Sequence, residues 1–447
     1  MTSRTSTNDG ATSQPLPPRS HWRTLRPIRL QPHHTSTATL AGAYPFLATA
    51  PTQVGLLIGW DALTGAPFCF DPWAAYEAGT VTNPNMLLAG VIGQGKSSLA
   101  KALALRSIAA GRRVYVPGDP KGEWAPIADA VGGQVIRLGP GLPTRLNPLD
   151  LTASPTGRAR SLATLAAIAA TLLARDLRPV EHAALDHAHA SATNRGTGTL
   201  DAVVAALANP PARGDAHLTR DELAAAGRDL LFALRRLTHG DLDGMFNGPS
   251  THRFDPDRPM LVLDLSALGA DDTALTIAAT CAAAWLESAL ATTDSRAKRW
   301  VIYDEAWRLM RSAPLVARMQ AQWKLSRAHG IANLLILHRL SDLDAIGDAT
   351  SGLRALASGL LADCSTRVIY RQEADQLAAT VEALGLTDTE RDLLPVLPRG
   401  SGLWKVGQHA HVVHHRLHID ELDLVDTDDA MRDHHQPRPD AGDGGAW

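Results

Sequence analysis

The sequence predicts an α/β fold in which a mainly parallel sheet is covered by helices. Short segments rich in β-branched and other apolar residues alternate with Ala- and Leu-rich segments of helical periodicity, a pattern typical of parallel strands joined by helices. Residues 155–240 interrupt this alternation, because they show helical spacing and no strand pattern. We therefore predict one α/β domain that carries an all-helical insertion.

Strands are predicted where apolar and β-branched runs are bounded by turn signals. These runs lie at residues 54–59, 67–70, 86–91, 113–117, 134–138, 260–265, 300–304, 332–338, 366–371, 402–406 and 411–417. The residues between 138 and 260 contribute none of them, which agrees with a helical insertion.

Composition divides the chain into five segments. Residues 1–40, rich in Ser, Thr, Pro and Arg, and the tail 426–447, rich in Asp and His, are predicted to be disordered. The α/β domain is predicted to have a first part at 41–153 and a second part at 241–425. The helical insertion, predicted at 154–240, separates these two parts.

Length, charge and cysteine content limit the class of protein. A chain of 447 residues with 45% hydrophobic side chains can form one large domain with an insertion. Its net charge of -3 argues against coating nucleic acid by bulk charge, although a ring of subunits can still gather basic residues in its channel. Three cysteines without paired spacing favour a reducing compartment.

The sequence shows no apolar run of the roughly 18 to 20 residues that a bilayer span requires, and its start lacks a signal-peptide hydrophobic region. We therefore expect a cytoplasmic protein. A position at the inner face of the cell membrane would come through a partner.

The strongest motif is Gly90-Val-Ile-Gly-Gln-Gly-Lys-Ser97, which follows an apolar strand segment and precedes a helical one. This is the phosphate-binding loop (P-loop) pattern in its strand–loop–helix setting. Its glycines let backbone N–H groups converge on phosphate oxygens, and the helix N-terminus adds positive potential. Lys96 is expected to reach the β and γ phosphates of ATP, and Ser97 to bind Mg²⁺. The residues predicted to bind the nucleotide in this motif are Gly90, Gly93, Gln94, Gly95, Lys96, Ser97 and Ser98.

A P-loop protein also needs a carboxylate at the end of a neighbouring strand. Asp304 and Glu305 follow the apolar run Trp300-Val-Ile-Tyr303. Asp304 is predicted to bind Mg²⁺ and Glu305 to polarise the attacking water, and the pair together indicates hydrolysis. Asp264 ends another apolar run, but no second acid follows it. We therefore assign Asp264 to a neighbouring structural strand.

His338 ends the predicted strand 332–338, where P-loop ATPases hold a sensor of the γ phosphate. As a catalytic residue it would donate a hydrogen bond to the phosphate or to the water. A lone histidine at a strand end is also a common structural feature. Both roles remain open for His338.

Several stretches together resemble one family, the HerA–FtsK superfamily, and within it the conjugation and type IV secretion ATPases of the Vir and Tra systems. The resemblance covers roughly residues 52–427. Besides the P-loop, it rests on Gly55-Leu-Leu-Ile-Gly59, Asp71-Pro-Trp73, Gly118-Asp-Pro-Lys-Gly-Glu-Trp124, Leu146-Asn-Pro-Leu-Asp150, Asp304-Glu-Ala-Trp307, Ser326-Arg-Ala-His-Gly330 and Glu421-Leu-Asp-Leu-Val-Asp-Thr427. The order of these stretches along the chain makes the set fairly specific.

The resemblance implies a RecA-like P-loop ATPase domain that works with ATP and Mg²⁺ as a ring oligomer, typically a hexamer. Its partners would be membrane-embedded channel proteins, and DNA is a candidate translocated substrate. The family pattern places Asp119, Lys121 and Glu123 near the nucleotide. It also matches Arg327 to the arginine that such rings insert into the neighbouring subunit's site, with Arg367 as a second choice.

Two features depart from the family pattern. The sensor strand usually ends in Gln, whereas this chain has His338. The long N-terminal domain of the secretion ATPases has no counterpart ahead of the P-loop, so docking on a channel is expected to use something else.

Two other functions remain as alternatives to a secretion motor. One is a cytosolic DNA translocase of the HerA kind that acts in repair. The other is a scaffold that binds ATP without hydrolysing it, an alternative kept open by His338 and by the missing domain. A GTPase is disfavoured because the sequence has no Asn-Lys-x-Asp motif, and a simple nucleotide kinase would not need Asp304 and Glu305 together.

The tryptophans and the histidines near the end of the chain are assigned to structure. The tryptophans lie mostly beside strands or motifs, which favours core packing. The alternating histidines near the end of the chain lack a carboxylate cluster, so they predict an exposed strand face and not a metal site. They are His409, His411, His414, His415 and His418.

Overall fold

The computed structural model describes residues 54–150, 157–194, 198–210, 218–292, 297–339 and 352–425. Within these ranges one sheet contains β1 (Leu56–Asp61), β2 (Pro67–Phe70), β3 (Met86–Ala89), β4 (Arg113–Asp119), β5 (Gln134–Arg137), β6 (Met260–Asp264), β7 (Arg299–Tyr303), β8 (Ile331–Leu337), β9 (Thr366–Ile369), β10 (Ser401–Val406) and β11 (His409–His415). Each strand overlaps a predicted one, so the strand prediction is confirmed. The predicted disordered segments 1–40 and 426–447 lie outside the described residues.

The strands follow the order β2-β1-β11-β10-β9-β3-β8-β7-β4-β6-β5. From β9 to β5 every neighbouring pair is parallel. At the other edge, β10, β11, β1 and β2 extend the sheet by antiparallel pairing. The mainly parallel sheet predicted from the sequence is therefore confirmed. Because parallel strands end at the same edge, the loops that follow β3, β7 and β8 meet there.

Helices cover both faces of the sheet. In the described residues they are α1 (Pro72–Glu77), α2 (Lys96–Ala109), α3 (Ala125–Ala130), α4 (Gly157–Leu173), α5 (Pro179–Asn194), α6 (Leu200–Ala208), α7 (Arg220–Ala226), α8 (Arg228–His239), α9 (Asp272–Thr292), α10 (Ala306–Leu309), α11 (Ala313–Leu325), α12 (Gly352–Ala362), α13 (Leu377–Leu384), α14 (Asp388–Leu393) and α15 (Ile419–Val425). None of these helices is long and apolar enough to span a membrane.

The central strands are buried on both faces, and their residues alternate between two cores. Along β3, Met86 and Leu88 pack in the core that also contains Leu99 and Leu103 of α2. Leu87 and Ala89 belong to the other core, which includes the buried residues of α4, α6 and α9. Side chains of a strand point alternately to opposite faces, so a continuous apolar run such as β3 serves two layers of helices.

The described residues between 157 and 239 form the five helices α4 to α8 and no strand, so the predicted helical insertion is confirmed. Its boundaries at 154 and 240 stay predictions. Helix α4 packs against α9 and joins the insertion to the sheet's core. Between α4 and α5, hydrogen bonds of 2.7 Å from Arg175 and Arg178 to the buried Glu181 hold the pKa of that carboxyl well below its usual range. The pairing offsets the cost of burying its charge.

The hairpin formed by β1 and β2 joins the rest of the sheet through a close backbone contact between Gly59 and β11. Gly59 pairs with His415 of β11, and a Cβ at this position would lie 1.9 Å from the carbonyl oxygen of His414. A side chain of any size therefore forces β1 and β11 apart.

We predict that Gly59→Ala lowers the free energy of unfolding by about 1–3 kcal/mol, because overpacking at this contact must displace a strand. Urea unfolding followed by circular dichroism measures the change. Gly352→Ala is the matched control, since the described structure leaves open space around a Cβ at that position. Equal stability of the two variants would contradict the pairing of β1 with β11.

Candidate functional site

The P-loop motif turns from β3 into α2 with a backbone that requires its glycines. Gly90, Gly93 and Gly95 have φ angles of 150°, 78° and 102°, which L side chains rarely adopt. Gly95 is also the N-cap of α2 and has no side chain to occupy the first N–H groups of that helix. Those groups therefore face the cleft as donors for an anion.

Lys96 bridges the two ends of the loop. Its buried ammonium donates hydrogen bonds to the carbonyl oxygens of Gly90 (2.6 Å) and Val91 (2.8 Å). Burial lowers the pKa of Lys96 to about 8, although the nearby carboxylates of Glu305 and Asp304 act in the opposite direction. The lysine is thus charged at neutral pH and lies beside the predicted phosphate position.

The other predicted loop residues surround this lysine. Ser97 and Ser98 are half-buried in the first turn of α2, and Gln94 is half-buried at the turn before it. The carbonyl oxygen of Gln94 accepts a 3.0 Å hydrogen bond from the backbone N–H of Gly400. The segment before β10 therefore supports the loop from outside.

Asp304 and Glu305 follow β7 directly, but β7 does not adjoin β3. The prediction that the carboxylates end a strand neighbouring the P-loop strand is wrong by one position, because β8 lies between β3 and β7. This order places His338, at the end of β8, between the P-loop and the acidic pair. Asp304 is buried and accepts hydrogen bonds from the indole Nε1 of Trp124 (2.9 Å) and the backbone N–H of Glu305 (2.9 Å).

The carboxylate of Glu305 has three partners from three different segments. Oε1 accepts from the ammonium of Lys121 and from His338 Nε2 at 2.6 Å, and Oε2 accepts from Trp307 Nε1 at 2.7 Å. Burial acts to raise the pKa of Glu305, but the hydrogen bonds from His338 and Lys121 outweigh it and lower the pKa to about 2. Glu305 is therefore ionised and fully engaged.

The backbone of Glu305 is strained. Its φ of 49° and ψ of 38° place a bulky side chain in the left-handed region. Non-glycine residues adopt this conformation seldom, and it is found more often where a functional side chain must be held in place. Here it aims the carboxylate towards Lys121 and His338.

His338 contacts the residue that is predicted to polarise water. Since the carboxylate of Glu305 accepts, His338 Nε2 donates in their 2.6 Å contact. Its Nδ1 is buried and has no hydrogen-bond partner among the described residues. The hydrogen bond to Glu305 thus fixes the position of His338 within the site.

Asp119 organises the loop that follows β4. Its carboxylate accepts hydrogen bonds from the backbone N–H groups of Lys121 (3.2 Å), Gly122 (2.9 Å) and Trp124 (2.8 Å). The side chain is buried, and burial together with the charge of Asp304 raises its pKa to about 6. Asp119 therefore holds Lys121 in place from within the loop, and its direct contact with a nucleotide stays a prediction.

Lys121 and Glu123 both line the cleft but differ in their partners. Lys121 is half exposed and forms the ion pair with Glu305. Glu123 pairs at 2.8 Å with Lys101, a fully buried lysine of α2. Through this pair the loop after β4 is fixed to the helix that begins at the P-loop.

Lys121 and Glu123 border a cleft of about 410 Å³ together with residues of the P-loop. The cleft is lined by charged or polar side chains, among them Lys96, Ser97 and His338, and by the apolar side chains of Leu417, Leu422 and Val425. The cleft therefore suits a ligand with an anionic part and an apolar part.

Asp264, the rival carboxylate, is occupied elsewhere. It accepts from the backbone N–H (3.0 Å) and hydroxyl (2.7 Å) of Ser266, and Arg137 lies 3.5 Å away. Its strand β6 lies beyond β4 from the P-loop. This position agrees with the structural role predicted for Asp264.

Arg327 lies at the amino-terminal ends of the parallel strands, whereas the cleft lies at their carboxyl ends. It is exposed on the 3₁₀ helix Ser326–His329 directly before β8, whereas His338 follows that strand. The seven residues of β8 separate the two by about 20 Å, so Arg327 cannot contact the P-loop of its own chain. Arg367 donates to the carbonyl oxygens of Cys364 (3.2 Å) and Leu384 (2.8 Å). The bond to Leu384 joins β9 to the end of α13 within the same chain.

Solved structures share this architecture. No protein-family model matches the sequence, and no curated protein does. VirB4 of Thermoanaerobacter pseudethanolicus is similar over 84% of this chain and 100% of its own, with a TM-score of 0.71 and 22% sequence identity. The chain has the fold of VirB4.

Two further structures are of TrwB. The unbound form of this bacterial conjugative coupling protein is similar over 86% of this chain and 92% of its own, with a TM-score of 0.59 and 14% identity. TrwB in complex with the ATP analogue ADPNP gives the same TM-score with 16% identity. The predicted RecA-like fold is thereby confirmed, and in fold the chain is similar to VirB4 and TrwB, proteins of the kind that the motifs resemble.

Sequence reasoning missed several residues that build the site. Trp124 and Trp307 donate to Asp304 and Glu305, although tryptophans were assigned to core packing alone. The prediction of an exposed histidine face is wrong for His415, which lines the cleft and bonds to Tyr370, and for His411, which contacts Asp61. The spacing Asp304-Glu-Ala-Trp307 was the signal available for Trp307.

The P-loop, together with Ser97 and Asp304, fits phosphate and a divalent cation. The glycine turn and the uncapped helix N-terminus provide N–H donors, and Lys96 adds a positive charge. Ser97 and the buried Asp304 offer hard oxygen ligands of the kind that Mg²⁺ prefers. Burial raises the pKa of Asp304, and a bound cation would offset that cost of ionisation.

The raised pKa of Asp119 predicts a pH-dependent stability. Because its pKa is about 6 in the folded protein and 3.8 ordinarily, the folded protein holds the proton more tightly than the unfolded chain. Its favourable contribution is full below pH 4 and is lost as the pH rises to about 6. Relative to wild type, Asp119→Asn should therefore gain stability over this window. Urea unfolding at several pH values tests this, and a stability difference that is constant with pH would refute it.

Proposed function

We propose that this protein is an ATP-hydrolysing motor of a conjugative DNA-transfer or type IV secretion machine. It acts as a ring oligomer in the cytoplasm, docked on membrane channel proteins, and energises substrate translocation or channel assembly. The observation that carries this proposal is the meeting of Lys96 and Ser97 with the Asp304–Glu305 pair at one edge of the sheet. The shared fold and the TrwB complexes with ADPNP and with ADP and Mg²⁺ support ATP and Mg²⁺ as its ligands.

ATP binding follows from the lining of the cleft. The N–H groups of the P-loop and Lys96 hold the phosphates, and the apolar side chains of Leu417 and Leu422 receive the base. The hydroxyl of Ser97 and the carboxylate of Asp304 would hold Mg²⁺, which when bound would offset the negative charge of the phosphates.

Hydrolysis requires Glu305 to exchange its partners. With a pKa of about 2, Glu305 is a poor base while Lys121 and His338 are bonded to it. When a γ phosphate draws these two donors towards itself, the carboxylate regains basicity and can accept a proton from water. The same movement lets Lys121 and His338 stabilise the charge that develops on the phosphate.

The position of Arg327 supports a ring oligomer. The residue is exposed at the edge of the sheet away from its own P-loop, so its guanidinium can reach a γ phosphate only in a neighbouring subunit. An arginine supplied in this way neutralises transition-state charge and makes turnover depend on assembly. A hexamer is the expected ring, and DNA or protein is the expected cargo.

A second candidate, the ATP-binding scaffold, is favoured by the full engagement of Glu305 in this structure. If a ligand does not displace Lys121 and His338, ATP binds without turnover. Measured steady-state turnover separates the two functions.

We expect Glu305→Gln to reduce ATP turnover by about 10²-fold or more while ATP still binds, because it removes a general base. Asp304→Asn should reduce turnover and raise the Mg²⁺ concentration that turnover requires. Asp264→Asn is the matched control, another buried aspartate at a strand end, and should retain turnover. Phosphate release measures all three. Equal losses in Asp264→Asn and Asp304→Asn would refute the assignment, and no turnover in wild type, with or without double-stranded DNA, would support the scaffold.

Mixing two inactive variants tests whether Arg327 acts between subunits. Arg327→Ala keeps an intact Glu305, and Glu305→Gln keeps an intact Arg327. In a randomly mixed ring roughly a quarter of the interfaces combine both intact residues, so turnover should reappear on mixing. An arginine that acted within its own subunit would give no recovery. Arg367→Ala, mixed in the same way, serves as the comparison.

A further inference from the structure

A chain of hydrogen bonds connects the P-loop to the antiparallel edge of the sheet. Trp404 Nε1 lies 3.0 Å from His415 Nε2, and His415 Nδ1 lies 2.7 Å from the hydroxyl of Tyr370. That hydroxyl lies 3.2 Å from the carbonyl oxygen of Gly95. Tyr370 and Trp404 are fully buried, so the chain links β9, β10 and β11 to the P-loop.

The donors and acceptors in this chain run in one direction. An indole N–H can only donate, so His415 Nε2 must be the acceptor and the neutral ring carries its proton on Nδ1. His415 therefore donates to Tyr370, and the tyrosine hydroxyl is left to donate to Gly95. Burial lowers the pKa of His415 to about 3, which keeps the ring neutral at physiological pH. Hydrogen bonds aligned in this way reinforce one another in a buried setting.

The chain helps to fix the direction of a P-loop N–H group. In a planar trans peptide the carbonyl and the following N–H point in opposite directions. The carbonyl of Gly95 accepts from the N–H of Leu99 (3.0 Å) and from the hydroxyl of Tyr370, and both bonds turn the N–H of Lys96 the other way, to the cleft. The bond from Gly400 to the carbonyl of Gln94 does the same for the N–H of Gly95.

Close packing supports the same contact. A Cβ on Gly90 would lie 2.5 Å from the Cβ of Tyr370, and the backbone N–H of Tyr370 donates to Ala89 at 2.8 Å. The ring of Tyr370 packs edge-on against His415, with centroids 5.3 Å apart. Tyr370 is thus fixed at its backbone, which bonds to Ala89 before the P-loop, and at its hydroxyl, which bonds to Gly95 at the end of the loop.

We propose that Tyr370, His415 and Trp404 are positioning residues that set the affinity of the P-loop for the phosphates of its nucleotide. Tyr370 bonds to the loop directly, and His415 and Trp404 act through it. The three residues therefore act on binding and leave the chemical step to Glu305 and His338. The inference rests on the proposed function, since it specifies how the same site is kept ready for its ligand.

The test compares Tyr370→Phe with Tyr115→Phe. Both remove one buried hydroxyl that donates to a backbone carbonyl, but Tyr115 bonds to Pro256, away from the P-loop. Calorimetric titration with ADP and with inorganic pyrophosphate should show affinity reduced about threefold to tenfold in Tyr370→Phe only. In turnover, KM should rise by a similar factor while kcat stays within about twofold. A loss of folded protein would instead lower the apparent kcat and leave KM unchanged.

A second variant distinguishes a chain from a local contact. His415→Leu removes the group that orients the tyrosine hydroxyl and should weaken pyrophosphate binding to the same extent as Tyr370→Phe. The double variant should lose no more than either single one, because both interrupt one chain.

The outcomes separate this inference from the proposed function. Additive losses, or unchanged affinity in Tyr370→Phe, would overturn the inference while wild type still binds ADP. Failure of wild type to bind ADP or pyrophosphate would overturn the proposed function itself.

Discussion

The buried carboxylate of Glu305 is the group on which the arrangement of the cleft depends. It lies at the end of a strand that is covered on both faces, where an unpaired charge would be costly. Its partners come from the loop after β4, from the end of β8 and from the turn into α10. By satisfying one charge, the chain fixes three loops relative to each other and stores backbone strain in the residue between them. A ligand that competes for Lys121 and His338 acts on all three loops at once.

Support for the P-loop comes from two independent directions. Within the loop, Lys96 bonds to the carbonyls at its start. From outside, Tyr370 and Gly400 bond to the carbonyls at its end. These carbonyl groups are thus used for internal bonding, as is the N–H of Val91, which donates to the carbonyl of Arg371 at 3.2 Å. The antiparallel strands, which resemble a simple extension of the sheet, are therefore part of the site.

Much of the fold and of the candidate site could be predicted from the sequence, because both leave local patterns. Apolar runs marked every strand, and the order of glycines, lysine and serine marked the P-loop. Asp304 and Glu305 were recognisable because two acids directly follow an apolar run. These signals depend on neighbours in the chain, and the sequence displays them directly.

The rest depends on contacts between distant segments. The sequence does not show that β8 enters between β3 and β7, so His338 was separated from Glu305 by 33 positions although their side chains touch. His415 was assigned to an exposed face because alternation predicts which residues share a face but not what covers it. Of its partners, Trp404 lies on β10 and Tyr370 directly follows β9, and the pairing of these strands appears only in the folded sheet.

The position of β11 has a consequence for the order in which the protein can form. This strand lies between β10 and β1, so the hairpin made of β1 and β2 has no place in the sheet until residues 409–415 have left the ribosome. The same strand supplies His415 to the P-loop. The parallel core can be assembled earlier from β3 to β9. The P-loop near residue 90, however, is supported through His415 of β11, which is synthesised more than 300 residues later. During translation, therefore, the nascent chain can acquire the parallel part of its sheet before the cleft at the P-loop is complete.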